Sequence, residues 1–271
     1  MSHSLLKRLG LITLAALIAP TFAQAHKAWL LPSQTVLTPN QWITVDAAVS
    51  NDLFYFNHVP LQLDKLVITA PDGSMLAPVS PHTGKYRSVF DLELKQIGTY
   101  RLAIVNKGLN ASWKENGEPK RWRGTAERFA AEVPAKAQDL QVGEMHGRIE
   151  TFVSAGAPSS EKLKATNSGL ELIPSTHPND LFAGESASFQ FLLDGKPIVG
   201  LDVHVVPGGT RYRDQQNDVT VKTDAQGKFS TVWPSAGMYW LEAVHQDEKG
   251  STAGIKNRRV SYVATLEVLA P

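Results

Sequence analysis

The feature that most constrains this chain is a succession of short runs with a two-residue hydrophobic period, each closed by a turn signal. In Val89-Phe90-Asp91-Leu92-Glu93-Leu94 apolar and charged residues alternate, which is the period that sends successive side chains to opposite faces of a strand. The pattern predicts strands over 27–31, 42–49, 65–70, 75–79, 86–94 and 99–105. Between them stand Thr38-Pro39-Asn40, Pro71-Asp72-Gly73 and Gln96-Ile97-Gly98. Proline fixes φ in such clusters, and Gly and Asn accept positive φ. A second set of strands is predicted over 170–173, 187–193, 201–206, 219–223, 228–233, 239–244 and 258–268. Asp194-Gly195-Lys196 reads as a tight hairpin, and Asp224-Ala225-Gln226-Gly227 as another turn. The fold class expected is all-β: two tandem Ig-like antiparallel β-sandwich domains.

A faint internal repeat supports two copies of one unit. Gly98-Thr99-Tyr100-Arg101-Leu102-Ala103 matches Gly237-Met238-Tyr239-Trp240-Leu241-Glu242-Ala243. A tyrosine opening a strand at such a corner often bonds a backbone group just upstream, so both tyrosines read as structural. Trp42, Phe90, Leu92 and Leu102 read as first-domain core. Between the two sets, from 107 to 164, the period weakens. A short helix is expected over 125–131, ended by Pro134, and a strand over 147–154. Gly156-Ala157-Pro158-Ser159-Ser160 looks like a linker, and the segment as a whole reads as an irregular insert. The expected boundaries are 1–25 for a signal peptide, 26–106 for the N-terminal sandwich, 107–164 for insert and linker, and 165–271 for the C-terminal sandwich.

The first 25 residues have the plan of an export signal. Lys7 and Arg8 precede an apolar run too short to span a bilayer, Pro20 breaks it, and Ala23-Gln24-Ala25 supplies small residues for cleavage. The expected location is periplasmic, with cleavage after Ala25, a mature chain beginning at His26, and no membrane anchor. There is no cysteine, which removes disulfides, thiolate metal sites and cysteine nucleophiles. A net charge of +1 gives no electrostatic reason to expect nucleic acid. Gly-x-Ser-x-Gly, a phosphate loop and His-Glu-x-x-His are all missing, so the chain reads as a non-enzyme.

The histidines carry the chemistry. An N-terminal His26 offers an α-amine and a ring nitrogen from one residue, enough to chelate a transition metal in a small ring. Counting strand directions in an antiparallel sandwich puts the start of strand 27–31, the loop holding His58 and the loop holding His82 at one end of the first domain. The insert carrying His146 is delivered to the same end. His26, His58, His82 and His146 are therefore the candidate metal ligands. Imidazole suits nickel, copper, zinc and iron(II). His204, between Val203 and Val205, reads as a hydrogen-bonded structural residue. His177 and His245 fall at opposite ends of the second domain and read as structural too. Lys120-Arg121-Trp122-Arg123 mixes basic and aromatic residues and would suit an acidic partner or a metal-complex ligand, but reads first as a solvated loop.

Several segments together resemble one family: His26-Lys27-Ala28-Trp29-Leu30-Leu31-Pro32, Phe54-Tyr55-Phe56-Asn57-His58-Val59-Pro60, Ala70-Pro71-Asp72-Gly73, Asp194-Gly195-Lys196-Pro197 and Tyr262-Val263-Ala264-Thr265-Leu266-Glu267-Val268. It is domain-of-unknown-function family 4198, some of whose members are described as periplasmic components of nickel or cobalt uptake systems. The resemblance implies a bound transition metal, nickel or cobalt favoured with iron or copper as alternatives. It also implies a metal ion or metal chelate as ligand and an inner- or outer-membrane metal transporter as partner. Two readings compete with it. One is a copper histidine-brace mono-oxygenase-like enzyme, built on an N-terminal histidine and a second histidine. The other is a plain Ig-like interaction module.

Overall fold

The computed structural model describes residues 26–250, 255 and 257–271. The expected export signal, 1–25, lies outside the described residues. In chain order the first strands are β1 (Lys27–Pro32), β2 (Val36–Leu37), β3 (Gln41–Ser50), β4 (Val59–Pro60), β5 (Leu66–Thr69), β6 (Met75–Leu76), β7 (Val79–Thr83) and β8 (Ser88–Leu94). Next come β9 (Gly98–Glu115), β10 (Glu118–Gly124), a short helix α1 (Ala126–Glu132) and β11 (Gln138–Ala155). The rest are β12 (Leu170–Pro174), β13 (Ser186–Leu193), β14 (Lys196–Pro197), β15 (Asp202–Pro207), β16 (Val219–Lys222), β17 (Lys228–Val232), β18 (Gly237–Asp247) and β19 (Asn257–Val268).

These strands form two small sheets and one long one. The first small sheet has the order β1-β3-β8-β7, with β4 on β3; the second is β12-β13-β14, with β17 on β13. The long sheet runs β16-β15-β18-β19-β11-β9-β5-β6, with β10 on β9 and β2 on β11. Along a strand, neighbouring side chains point to opposite faces, and the long sheet uses both. Ile149, Val153, Trp240 and Val263 enter the core shared with the first small sheet. Phe152, Leu241, Tyr262 and Ala264 enter the core shared with the second. The two sandwiches thus stand on opposite faces of one sheet. Where they overlap, β11 and β19 pair in parallel from Gly143 with Asn257 to Thr151 with Thr265. From Arg148 to Ala155 β11 is buried without interruption, as expected of a strand covered on both faces.

The expected all-β, Ig-like plan is what the chain adopts, and its turns follow the local chemistry. Asp194 and Gly195 both have positive φ, 49° and 79°, and Leu193 pairs with Lys196 across them. That is the mirror-image two-residue turn whose twist matches a hairpin. The repeat is also realised. The Tyr100 hydroxyl accepts from the Gln96 N–H at 2.7 Å and donates to the Gln96 carbonyl at 3.2 Å. The Tyr239 hydroxyl accepts from the Ser235 N–H at 3.3 Å and donates to its carbonyl at 2.8 Å.

Two expectations need correction. Trp42 is not core: it is 52% exposed while Ile43 is 1% exposed. Ile43, Val45 and Ala47 form the inward set of β3, and Trp42 lies on the outer face opposite Glu93. The segment 107–164 is mostly regular. β9 continues far beyond Val105, turns into β10, and β11 returns along it with the register Met145 to Gly108 and His146 to Lys107. The strand β10 is exposed along nearly its whole length, so it has no apolar period to betray it.

Candidate metal centre

The site begins with three strands at one end of the first small sheet. β1 and β4 flank β3: Lys27 pairs with Ser50, and Val59 pairs with Val49. His26 and His58 lie one residue beyond those pairs, on either side of the end of β3. Flanking strands stand about 10 Å apart, within reach of two imidazoles. The rings meet face to face, centroids 3.7 Å apart and planes 2° from parallel.

The loop carrying His58 is built rather than loose. Trp29 donates to the Ser50 hydroxyl at 2.8 Å, and that hydroxyl donates to the Asp52 carbonyl at 2.6 Å. Asn57 accepts from the Asn51 N–H and donates to the Asp52 carboxylate, each at 2.9 Å. Leu53 is fully buried, and its N–H donates to the Thr210 hydroxyl at 3.2 Å. Phe54 and Phe56 each pack on Trp29, at 5.6 and 5.5 Å between centroids, and Arg87 lies over Phe56 at 4.4 Å. Phe54 pays for this with a positive φ of 64°, a conformation unusual for a bulky residue. Beside His26, burial holds the Lys27 amine below its ordinary pKa against the opposing pull of Glu242 and Asp52. Glu242 itself is pushed up by burial, with Arg259, His204 and Lys27 pulling the other way.

The other two candidates do not join this pair. His82 lies in β7, opposite Val89, and through Val89 and Asp46 it stands level with Leu31 rather than with His26. It sits in a strand rather than the expected loop. In the order β1-β3-β8-β7 it is three strands from β1, about 14 Å at the usual spacing. His146 is on the wrong face of the long sheet. Its neighbour in parity, Arg148, reaches Glu171 of β12, and His146 contacts Glu144 and stands over Gly169, turned to the second sandwich. Among the described residues no group of three or more His, Asp or Glu side chains is placed to hold a metal. What the chain brings together is two imidazoles and the peptide nitrogen of His26. Cleavage after Ala25 would turn that nitrogen into an amine, a three-nitrogen donor set that suits a late first-row divalent ion.

His204 and His177 have structural partners. His204 Nδ1 lies 3.0 Å from the Thr220 hydroxyl, between buried Val203 and Val205. His177 accepts the Asn179 N–H on Nδ1 at 3.1 Å, and its Nε2 lies 2.9 Å from the Thr99 hydroxyl. Burial lowers its pKa, against the Ser159 carbonyl and Asp180.

Sequence reasoning missed a buried charge network under the second sandwich. Glu150, fully buried, accepts Arg101 Nε and Arg148 at 2.8 Å each and the Tyr262 hydroxyl at 2.7 Å. Glu171, also fully buried, accepts the Thr166 N–H at 2.9 Å and lies 3.4 Å from Arg148. Burial pushes the Glu150 carboxyl up, but Arg101 and Arg148 together outweigh it and hold it below the usual range. Burial, then the charge of Glu150, pushes Tyr262 well above an ordinary phenol. Charged residues in strands read as outward-facing, and the sequences of β9 and β11 carry no pattern that marks a partnered interior.

Comparison with solved structures finds weak overlays. The D0-D1 domain of intimin is 12% identical, at a TM-score of 0.23, over 89% of this chain and 97% of that one. The Yersinia pseudotuberculosis adhesin InvE is 12% identical, at a TM-score of 0.22, over 88% of this chain and 60% of that one. Escherichia coli alpha-2-macroglobulin activated by porcine elastase is 11% identical, at a TM-score of 0.22, over 89% and 31%. Overlays this weak carry no argument about function. No curated protein matches. The family described as "Domain of unknown function (DUF4198)" matches residues 23–247, and the chain belongs to that family.

Proposed function

We propose that the protein is a periplasmic transition-metal-binding protein that assists metal uptake, its ion held by His58 and by the ring and freed amine of His26. The observation that supports this is the contact between the two imidazoles, brought from residues far apart in sequence to 3.7 Å by the flanking of β3. Three nitrogens and no thiolate suit the tetragonal geometries of Ni(II) and Cu(II). Nickel or cobalt remains what the family resemblance implies. The amine and imidazoles bind only when unprotonated, so affinity falls in acid. The residues contribute binding and orientation: the loop 51–58 fixes His58, and coordination of one ion by both rings requires His26 to turn out of its stack.

The test is a metal titration with Ni(II), Co(II) and Cu(II) of protein beginning at His26. A version carrying one extra N-terminal residue should bind at least tenfold more weakly. His58→Ala should lose affinity with an unchanged unfolding midpoint in the metal-free protein. Equal affinity in the extended protein would overturn the role of the terminus. The pair of histidines with an amine is also the donor set of a copper histidine brace. That second reading predicts oxidation of a polysaccharide by the copper-loaded protein in the presence of a reductant and an oxygen source; a metal carrier does not turn over.

A further inference from the structure

The outer ends of β9, β10 and β11 project past the first sandwich as a three-stranded blade, and its two faces differ. One face is covered: Leu109, Ala111 and Val133 are buried, and Trp122 meets Phe129 edge-on at 5.5 Å and donates to Glu132 at 2.7 Å. On the opposite face Arg121 and Arg123 stand across from Ser112 and Asn110. Gln141 and Gly143 continue the row on β11, and Asn257 completes it on β19. These residues line an open groove of about 600 Å³. Gly143 forms part of its floor, because a Cβ there would stand 2.5 Å from the Asn110 side-chain oxygen.

The charge in this groove is unbalanced. Nearby cations are paired: Lys114 with Asp139 at 2.9 Å, Lys120 with Glu115 at 3.6 Å, Arg128 with Glu132 at 2.8 Å. Among the described residues Arg121 and Arg123 have no acidic partner, and no Asp or Glu lines the groove. Two residues apart on one strand, their Cα atoms are about 7 Å apart, and each guanidinium offers a planar fork that fits a carboxylate in bidentate fashion. The other polar lining groups are the neutral amides of Asn110, Gln141 and Asn257 and the Ser112 hydroxyl, and Ala111, Trp122 and Val142 supply apolar wall. The volume falls in the range of small-molecule sites, roughly 300–1,000 Å³.

We propose that this groove binds a small di- or tricarboxylate, one carboxylate on Arg121 and another on Arg123, with Asn110, Ser112, Gln141 and Asn257 bonding the remaining oxygens. The site is independent of the histidine pair. The experiment is calorimetric titration of the metal-free protein with citrate and succinate at low salt, with inorganic phosphate and trimethyl citrate in parallel. Citrate should bind one to one and saturate; phosphate should bind at least tenfold more weakly, and the ester not at all. The double variant Arg121→Gln, Arg123→Gln should lose at least tenfold. Lys120→Gln, on the covered face, should match the wild type. Ser112→Asp sets a carboxylate directly across from Arg121, where it occupies that guanidinium and repels the ligand; it should give the same loss, and decides the matter if the double variant does not fold. No citrate binding, equal binding by phosphate, or undiminished binding in a folded groove variant would each overturn the proposal.

Discussion

Trp42 and Ile43 are adjacent in β3, yet only one of them holds the first sandwich together. Sequence favours the tryptophan because it is larger and opens the run. The pleat favours the isoleucine, because Val45 and Ala47 share its parity and fix which face is inward. Register in a half-buried strand is a single binary choice, and a shift of one residue reverses every side chain. Leu92, which is 2% exposed, should cost about 2–5 kcal/mol when truncated to Ala. Trp42→Ala should stay within about 1 kcal/mol, since exposed substitutions away from special features change little. Urea unfolding of the two variants measures the difference. At this scale Phe90, Leu92, Leu102, Tyr100 and Tyr239 were legible from alternation and from the Gly-x-Tyr repeat. Glu150, Arg101 and Arg148 were not, because burial of a charge depends on partners that alternation does not record.

Turns were the most legible elements. Asp194-Gly195 and Asp224–Gly227 take their shape from residues that tolerate positive φ, a property of the residue itself. At Gly227 the requirement is double. Its φ is 72°, and a Cβ would stand 2.5 Å from the Phe191 carbonyl and 3.1 Å from the Ile198 nitrogen. Both neighbours are backbone of the β13–β14 hairpin and have no rotamer to yield. Gly227→Ala should therefore destabilise by roughly 1–3 kcal/mol, read as a lowered midpoint in thermal unfolding, whereas Gly117→Ala meets nothing within 4 Å and bears only the cost of its own φ. The hairpin of β9 and β10 was the least legible element, since exposed strands carry no apolar period. The candidate site was legible in part: strand direction brought His26 and His58 to one end, but register and lateral order in the sheet, which parity does not supply, separated His82. Facing, another property of the assembled sheet, turned His146 away.

Across the whole molecule, the two sandwiches are not beads on a linker. The long sheet passes through both, and Trp240 of the second set of strands donates to the Ala28 carbonyl of the first at 2.9 Å. Glu150 stands in β11, where the sheet is shared, and ties Arg101, Arg148 and Tyr262 to one carboxylate. Removing one partner from such a network leaves buried charge unmatched, so Glu150→Ala should cost about 3–5 kcal/mol. Loss at the shared strand should affect both sandwiches together. Calorimetry of the wild type should give one transition whose van't Hoff and measured enthalpies agree; two separable transitions would mean the halves fold alone.

The parallel pairing of β11 with β19 also sets an order in time. A chain made from its N-terminus presents β11 long before residues 257–268 exist to cover it. Until then β11, 18 residues long, is the bare margin of an unfinished sheet, its amides and carbonyls open to any strand that passes. The first sandwich also waits for Trp240 before Ala28 has its partner. Contacts this distant in sequence close slowly, so pairing of β11 with a passing strand should compete with folding until residues 257–268 arrive.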